Sequence, residues 1–178
     1  MNQILRLLLV FTIASCSIKS SQSQQNNNAI ETKTNVISNE LEFDFYNDSI
    51  LTHVDAEELC EFRFEFFVPQ LNKNLAESGL ELDVQTLEDY ERSFEMAING
   101  RKFRLYSNQE LSNGKFWDSG PRNFFRIVND ILREKGIDRR FYLLYGGNDL
   151  HAIFLSTEQF DLMTKKNENN KNELPYIP

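Results

Sequence analysis

Two cysteines, two histidines and one tryptophan are all that 178 residues hold of those side chains. That scarcity excludes several chemistries at once. Two cysteines cannot build the disulfide framework of a small secreted domain. His53 and His151 lie in no H-x-x-x-H or similar ligand spacing, so nothing calls for a metal. No G-x-S-x-G elbow, P-loop or G-x-G-x-x-G run occurs, and no cofactor is implied. The apolar run Leu7–Ile13 is far too short to cross a bilayer as a helix, which takes about 20 residues. Basic side chains are in deficit: 19 Lys and Arg face 27 Asp and Glu, a formal charge of −8. Phosphate binding wants clustered cations, so nucleic acid is disfavoured as a partner. An acidic surface instead steers a basic partner or keeps the domain soluble.

What is present begins at the N-terminus. Met1–Arg6 carries one basic side chain, Leu7–Ile13 is apolar, and small Ala14 and Ser15 precede Cys16. Residues 1–15 therefore read as a cleavable signal. The ending Ile13-Ala14-Ser15-Cys16 resembles the lipobox of bacterial lipoproteins, with Ser15 where glycine or alanine is commoner. That resemblance implies cleavage before Cys16, a diacylglycerol on its thiol and a membrane as partner through the lipid. At about 0.8 kcal/mol per buried CH₂, three acyl chains would hold the protein firmly. The alternative is an unprocessed start with an incidental cysteine.

Residues 16–40 are then expected as a lipidated, disordered tether. Ser17–Asn28 is polar and lacks aromatics, so it has too little apolar surface to fold. Ser17 stands where, by resemblance to enteric lipoproteins, an aspartate would favour the inner membrane. The expected address is an outer-membrane lipid anchor on the periplasmic face. Once Cys16 is acylated, Cys60 is the only thiol left, and burial would protect it in an oxidising envelope.

The remaining chain is expected as a single α+β domain over residues 41–166 and a flexible tail over 167–178. Its strongest pattern is an internal repeat. Leu71-Asn72-x-x-Leu75-x-x-x-Gly79-Leu80 aligns with Val128-Asn129-x-x-Leu132-x-x-x-Gly136-Ile137, apolar at helical spacing and ending on a glycine that reads as a left-handed cap. A hairpin follows each. Ser93–Ile98 passes through Asn99-Gly100, the favoured two-residue turn, into Arg101–Tyr106. Phe141–Tyr145 passes through Gly146-Gly147-Asn148-Asp149 into Leu150–Leu155. Ser107 with Glu110, and Ser156 with Gln159, form capping boxes beyond the two hairpins.

The expected architecture is thus a tandem α-β-β repeat. It gives an antiparallel sheet of four or five strands with helices on one face, plus a C-terminal helix from Thr157 to Lys165. Asp83–Tyr90 is an insertion in the first copy. Asp55–Val68 starts with a capping box yet alternates like a strand. The alignment favours a helix kinked near Pro69. Glu42–Tyr46 is expected as an edge strand.

Candidate chemistry is sparse. Glu57, Glu58 and Glu61 flank Cys60 and disfavour its thiolate, which points to a buried structural cysteine. His53 reads as a solvated loop residue, and the Gly146–Asp149 run as a hairpin turn. One loop stands out, Gly114–Pro121, which holds the only tryptophan. Phe116, Trp117 and Asp118 are candidates for a partner-binding loop, since tryptophan is enriched at interface hot spots. Alternatively Phe116 and Trp117 plug the core while Ser119 or Asp118 caps a helix with Pro121 in its first turn.

Three functions follow. The first is a non-enzymatic interaction module, inhibitor- or immunity-like, that captures an envelope protein. The second is a small envelope hydrolase using carboxylates such as Asp118 and Asp149, which would require two acids meeting in a cleft. The third is a purely structural envelope lipoprotein.

Overall fold

Asp55, Ser107 and Ser156 each accept from a backbone N–H at the start of a helix. The computed structural model describes residues 44–178. The signal segment, Cys16, the tether and the start of the expected 42–46 edge strand lie outside them. In chain order the elements are β1 (Leu51–His53), α1 (Ala56–Cys60), α2 (Val68–Leu75), β2 (Val84–Thr86), α3 (Tyr90–Ser93) and β3 (Glu95–Ile98). They continue as β4 (Arg101–Arg104), α4 (Asn108–Ser112), α5 (Phe116–Glu134), β5 (Arg140–Leu144), β6 (His151–Leu155) and α6 (Thr157–Lys166). The fold is α+β, and its strands pair antiparallel.

Both expected hairpins form, but in separate sheets. One sheet has the order β1-β6-β5 and the other β2-β3-β4. The insertion Asp83–Tyr90 contains β2, the third strand of the second sheet, with Val84 opposite Ile98. Residues 44–46, the described part of the expected 42–46 strand, form no strand; the edge strand of this sheet is β1, where Leu51 faces Ile153. Asn99 and Gly100 turn the β3–β4 hairpin at φ 49° and 77°, the left-handed pair that such a turn needs.

The first sheet is covered on both faces. Phe141, Leu143, Ala152 and Phe154 point into the main core with Leu59, Leu71, Phe124, Phe125 and Val128. Tyr142, Leu144, Ile153 and Leu155 point the other way, against Phe45, Ile50, Phe160 and Met163. The expected C-terminal helix is what lies on the second face. A strand apolar at every position, such as Phe141–Leu144, needs cover on both sides, and α6 supplies it. The second sheet has one buried side: Met96 and Ile98 are in the core, whereas Lys102 and Arg104 are exposed.

The Asp55–Leu75 segment is broken rather than kinked. Asp55 caps α1 by accepting from the Glu57 N–H at 2.8 Å. The helix ends at Cys60, and Phe62 turns left-handed at φ 63°. A 3₁₀ turn over Phe64–Phe66 follows. Pro69 then sits in the first turn of α2, where its missing N–H costs nothing. Ser107 with Glu110 and Ser156 with Gln159 form the expected capping boxes of α4 and α6.

Residues 167–178 are not a loose tail. Tyr176 bridges the backbone of Leu143 in both directions, at 2.8 and 2.9 Å. Arg122 stacks on the Tyr176 ring and donates to the Ile177 carbonyl at 3.1 Å. The polar run Lys165–Asn172 hides this, because its low hydropathy says nothing of the Leu174–Ile177 segment that follows.

Candidate functional site

The expected Gly114–Pro121 loop is the start of a helix. α5 begins at Phe116, with Lys115 at its cap and no capping side chain. Pro121 lies inside the helix, not in its first turn. Asp118 is in that turn and pairs with Arg122 one turn on, at 2.9 and 3.0 Å. Gly120 explains why a Gly-Pro pair is tolerated here. A Cβ at that position would stand 2.8 Å from Cys60 Sγ, so only glycine lets α5 lie this close to α1.

Phe116 and Trp117 divide the two roles weighed for them. Phe116 is half-buried against the main core and touches Tyr106, with ring centroids 5.3 Å apart. Trp117 packs on Phe116 at 4.4 Å yet remains 38% exposed. It stands between two surface hollows. The smaller, about 330 Å³, is lined by Asp118, Arg122, Tyr145, the Gly146-Gly147 backbone and Tyr176. The larger, about 440 Å³, holds Phe62, Tyr90, Phe94, Tyr106, Phe116 and Trp117, with Glu61 and Glu91 among its lining residues.

The floor of the larger hollow is inert. Cys60 is buried, and its thiol donates to the Phe116 carbonyl at 3.3 Å. Burial, and to a lesser extent Glu61, push the thiol up to about 12, so it stays protonated and is neither nucleophile nor ligand at neutral pH. Tyr106 donates its hydroxyl to the Cys60 carbonyl at 2.8 Å, and burial raises the phenol to about 12. These bonds fix the rings. They activate nothing.

The other sequence candidates are scattered. His53 is in β1 rather than a loop and faces His151 across the pair, with centroids 4.9 Å apart. Each ring meets a backbone carbonyl at 2.8 Å, His53 Nε2 that of Asn148 and His151 Nδ1 that of Asp149. Since a carbonyl only accepts, those nitrogens carry the protons. Among the described residues no group of three His, Cys, Asp or Glu side chains is placed to hold a metal ion. Asp118 lines the smaller hollow, which Asp149 does not line. The carboxylates with displaced acidity, Glu110, Glu158 and Glu173, are all shifted down by hydrogen bonds. Two-carboxylate hydrolysis needs one shifted up.

The sequence points to Phe116 and Trp117 but not to the other rings around them. Phe62, Tyr90, Phe94 and Tyr106 come from separate segments, and only the total of 15 Phe and 6 Tyr signalled that aromatics must cluster. The fold and the hollow define a small α+β domain with an aromatic recess open to its surface. No protein-family model, curated protein or solved structure matches the chain.

Proposed function

We propose that this chain is a membrane-tethered envelope lipoprotein whose domain captures another envelope protein and performs no chemistry of its own. In this reading Cys16 carries the lipid, the outer membrane is the address, and the periplasm holds the partner. An inhibitor- or immunity-like role fits a small acidic domain on a tether. The observation that carries the reading is Trp117: a large aromatic left 38% exposed on the first turn of α5 between two hollows. Tryptophan so placed is the side chain most enriched at interface hot spots. The inert thiol and the separate placement of Asp118 and Asp149, which line no common hollow, support binding over hydrolysis.

The test has two parts. Cys16→Ala should move the chain from membranes to the soluble fraction; retention on membranes after a high-salt wash defeats the anchor. Wild type and Trp117→Ala are then used to copurify partners from the native envelope. The variant should keep its melting temperature within a few degrees and lose the copurifying protein, a weakening of about 2 kcal/mol or more. Undiminished capture by a folded Trp117→Ala protein removes this surface from the account.

A further inference from the structure

Aromatic rings elsewhere in the domain already hold cations. Arg122 lies over Tyr176 at 4.6 Å, Arg139 over Phe154 at 4.3 Å and Lys166 near Phe45 at 5.8 Å. The larger hollow has six aromatic side chains and no lysine or arginine among its lining residues. Its rings form one connected set: Phe62 lies 5.0 Å from Tyr90 and 6.1 Å from Tyr106, and Tyr106 stacks on Phe94 at 4.7 Å. Phe94 and Tyr106 are buried and form the base, while Phe62, Tyr90 and Phe116 are half-buried and Trp117 exposed.

The backbone gives a second, independent sign. Phe62 and Phe94 both adopt left-handed conformations, at φ 63° and 55°. Each follows a short helix, where glycine or asparagine is the unstrained choice. A bulky residue there is strained. Two strained phenylalanines lining one hollow indicate that the rings are kept despite the backbone.

Charge says what the rings await. Glu61 and Glu91 are the charged lining residues. Arg63 pairs with Glu61 at 2.9 Å, whereas Glu91 is exposed and makes no ion pair among the described residues. Arg63, Arg92 and Lys115 lie nearby in sequence, but none lines the hollow. Aromatic faces attract cations through their quadrupole, and a planar guanidinium both stacks on a ring and pairs with a carboxylate. We propose that the hollow between α1, α3 and the start of α5 receives an arginine side chain from a basic segment of the captured protein. Its rings stack the guanidinium and Glu91 pairs with it. This inference deepens the capture reading and rests on it.

The test uses the full chain and its single tryptophan as reporter, titrated with capped Gly-Arg-Gly peptide and the lysine and norleucine equivalents. Arginine peptide should change Trp117 fluorescence saturably, lysine several-fold more weakly, and norleucine not at all. Phe62→Gly relieves the left-handed strain while removing a ring, so it should fold and weaken binding roughly tenfold. Glu91→Lys should weaken it similarly, and Glu168→Lys, the same charge change outside the hollow, should not. A flat titration overturns the inference, as do equal responses to norleucine, equal responses to lysine, or equal losses in the two Glu→Lys variants. If the envelope pull-down succeeds and this titration is flat, only the arginine assignment falls. If arginine binds and nothing copurifies, the capture reading falls instead.

Discussion

Asn72 and Asn129 stand at the same place in the two aligned motifs and do the same work in different surroundings. Each amide clasps the backbone of the segment beyond its helix. Asn72 donates to the Leu82 carbonyl at 3.1 Å and accepts from the Leu82 N–H at 2.8 Å. Asn129 makes both bonds to Phe141, at 2.8 Å each. Phe141 belongs to a sheet buried on both faces, and Asn129 is itself buried. Leu82 leads into β2, whose Gln85 and Thr86 are exposed, and Asn72 is half-buried. One device thus serves a sealed sheet and an open one. The sealed sheet concentrates stability; the open sheet ends beside the aromatic hollow, with Phe94 before β3 and Tyr106 after β4.

The largest effect should come from the sealed sheet. Phe154 is fully buried in its central strand and stacks on Phe141 at 4.7 Å. Phe154→Ala should cost about 3–5 kcal/mol in denaturant unfolding. Phe103 in β4 is half-exposed, and Phe103→Ala should cost about 1 kcal/mol. Equal losses would erase the distinction between the sheets.

The clasps give a finer cut. Asn129→Ala strands a buried N–H and a buried carbonyl of Phe141, an expected loss of about 2–4 kcal/mol. Asn72→Ala breaks the same pair of bonds at a part-buried site, so a smaller loss of about 1–2 kcal/mol is expected. If Asn72→Ala is the more damaging, the open sheet is not the weaker half.

Much of this organisation was legible because it is local. Asn99-Gly100, the boxes at Ser107 and Ser156, and the left-handed Gly79 and Gly136 each announce themselves within a few residues. What failed was long-range. Nothing in the two hairpin sequences says that they join different sheets, since pairing partners Leu51 and Val84 come from outside both. The break at Phe62 was invisible because a phenylalanine with positive φ has no sequence signature. Gly120-Pro121 reads as a loop or the first turn of a helix rather than a helix interior, because the reason for that glycine, the nearby Cys60 sulfur, lies 60 residues away in sequence. Of the site, Phe116 and Trp117 are legible in the sequence; the hollow they line is not, being assembled from three distant segments.

That contact between α1 and α5, where the two halves of the chain meet, should respond more modestly. Gly120→Ala gains about 1 kcal/mol of helix propensity but drives a methyl to 2.8 Å from Cys60 Sγ and 3.5 Å from Tyr106 Cδ1. Overpacking of this kind costs about 1–3 kcal/mol, so a net loss of about 1 kcal/mol is expected. Cys60→Ala removes the sulfur. In that background Gly120→Ala should become neutral or stabilising, and additive behaviour across the double-mutant cycle would disprove the close approach.

The smallest expected effect is a pH dependence where the C-terminal segment meets the sealed sheet. Glu173 accepts from the Tyr46 hydroxyl at 2.6 Å and the Tyr145 hydroxyl at 2.7 Å, both on the same oxygen. Those two bonds, Tyr46's first, hold its carboxyl below the usual glutamate range. A carboxyl depressed in the folded state contributes stability that is fully present above its unfolded pKa, about 4.3, and is lost as pH falls through the folded value. Glu173→Gln carries no charge to protonate, so its melting temperature should trail wild type slightly at pH 6 and converge with it towards pH 3. The group is only half-buried, and solvent screening keeps the difference small. A gap that persists unchanged at pH 3 would show that Glu173 holds the segment by shape rather than by charge.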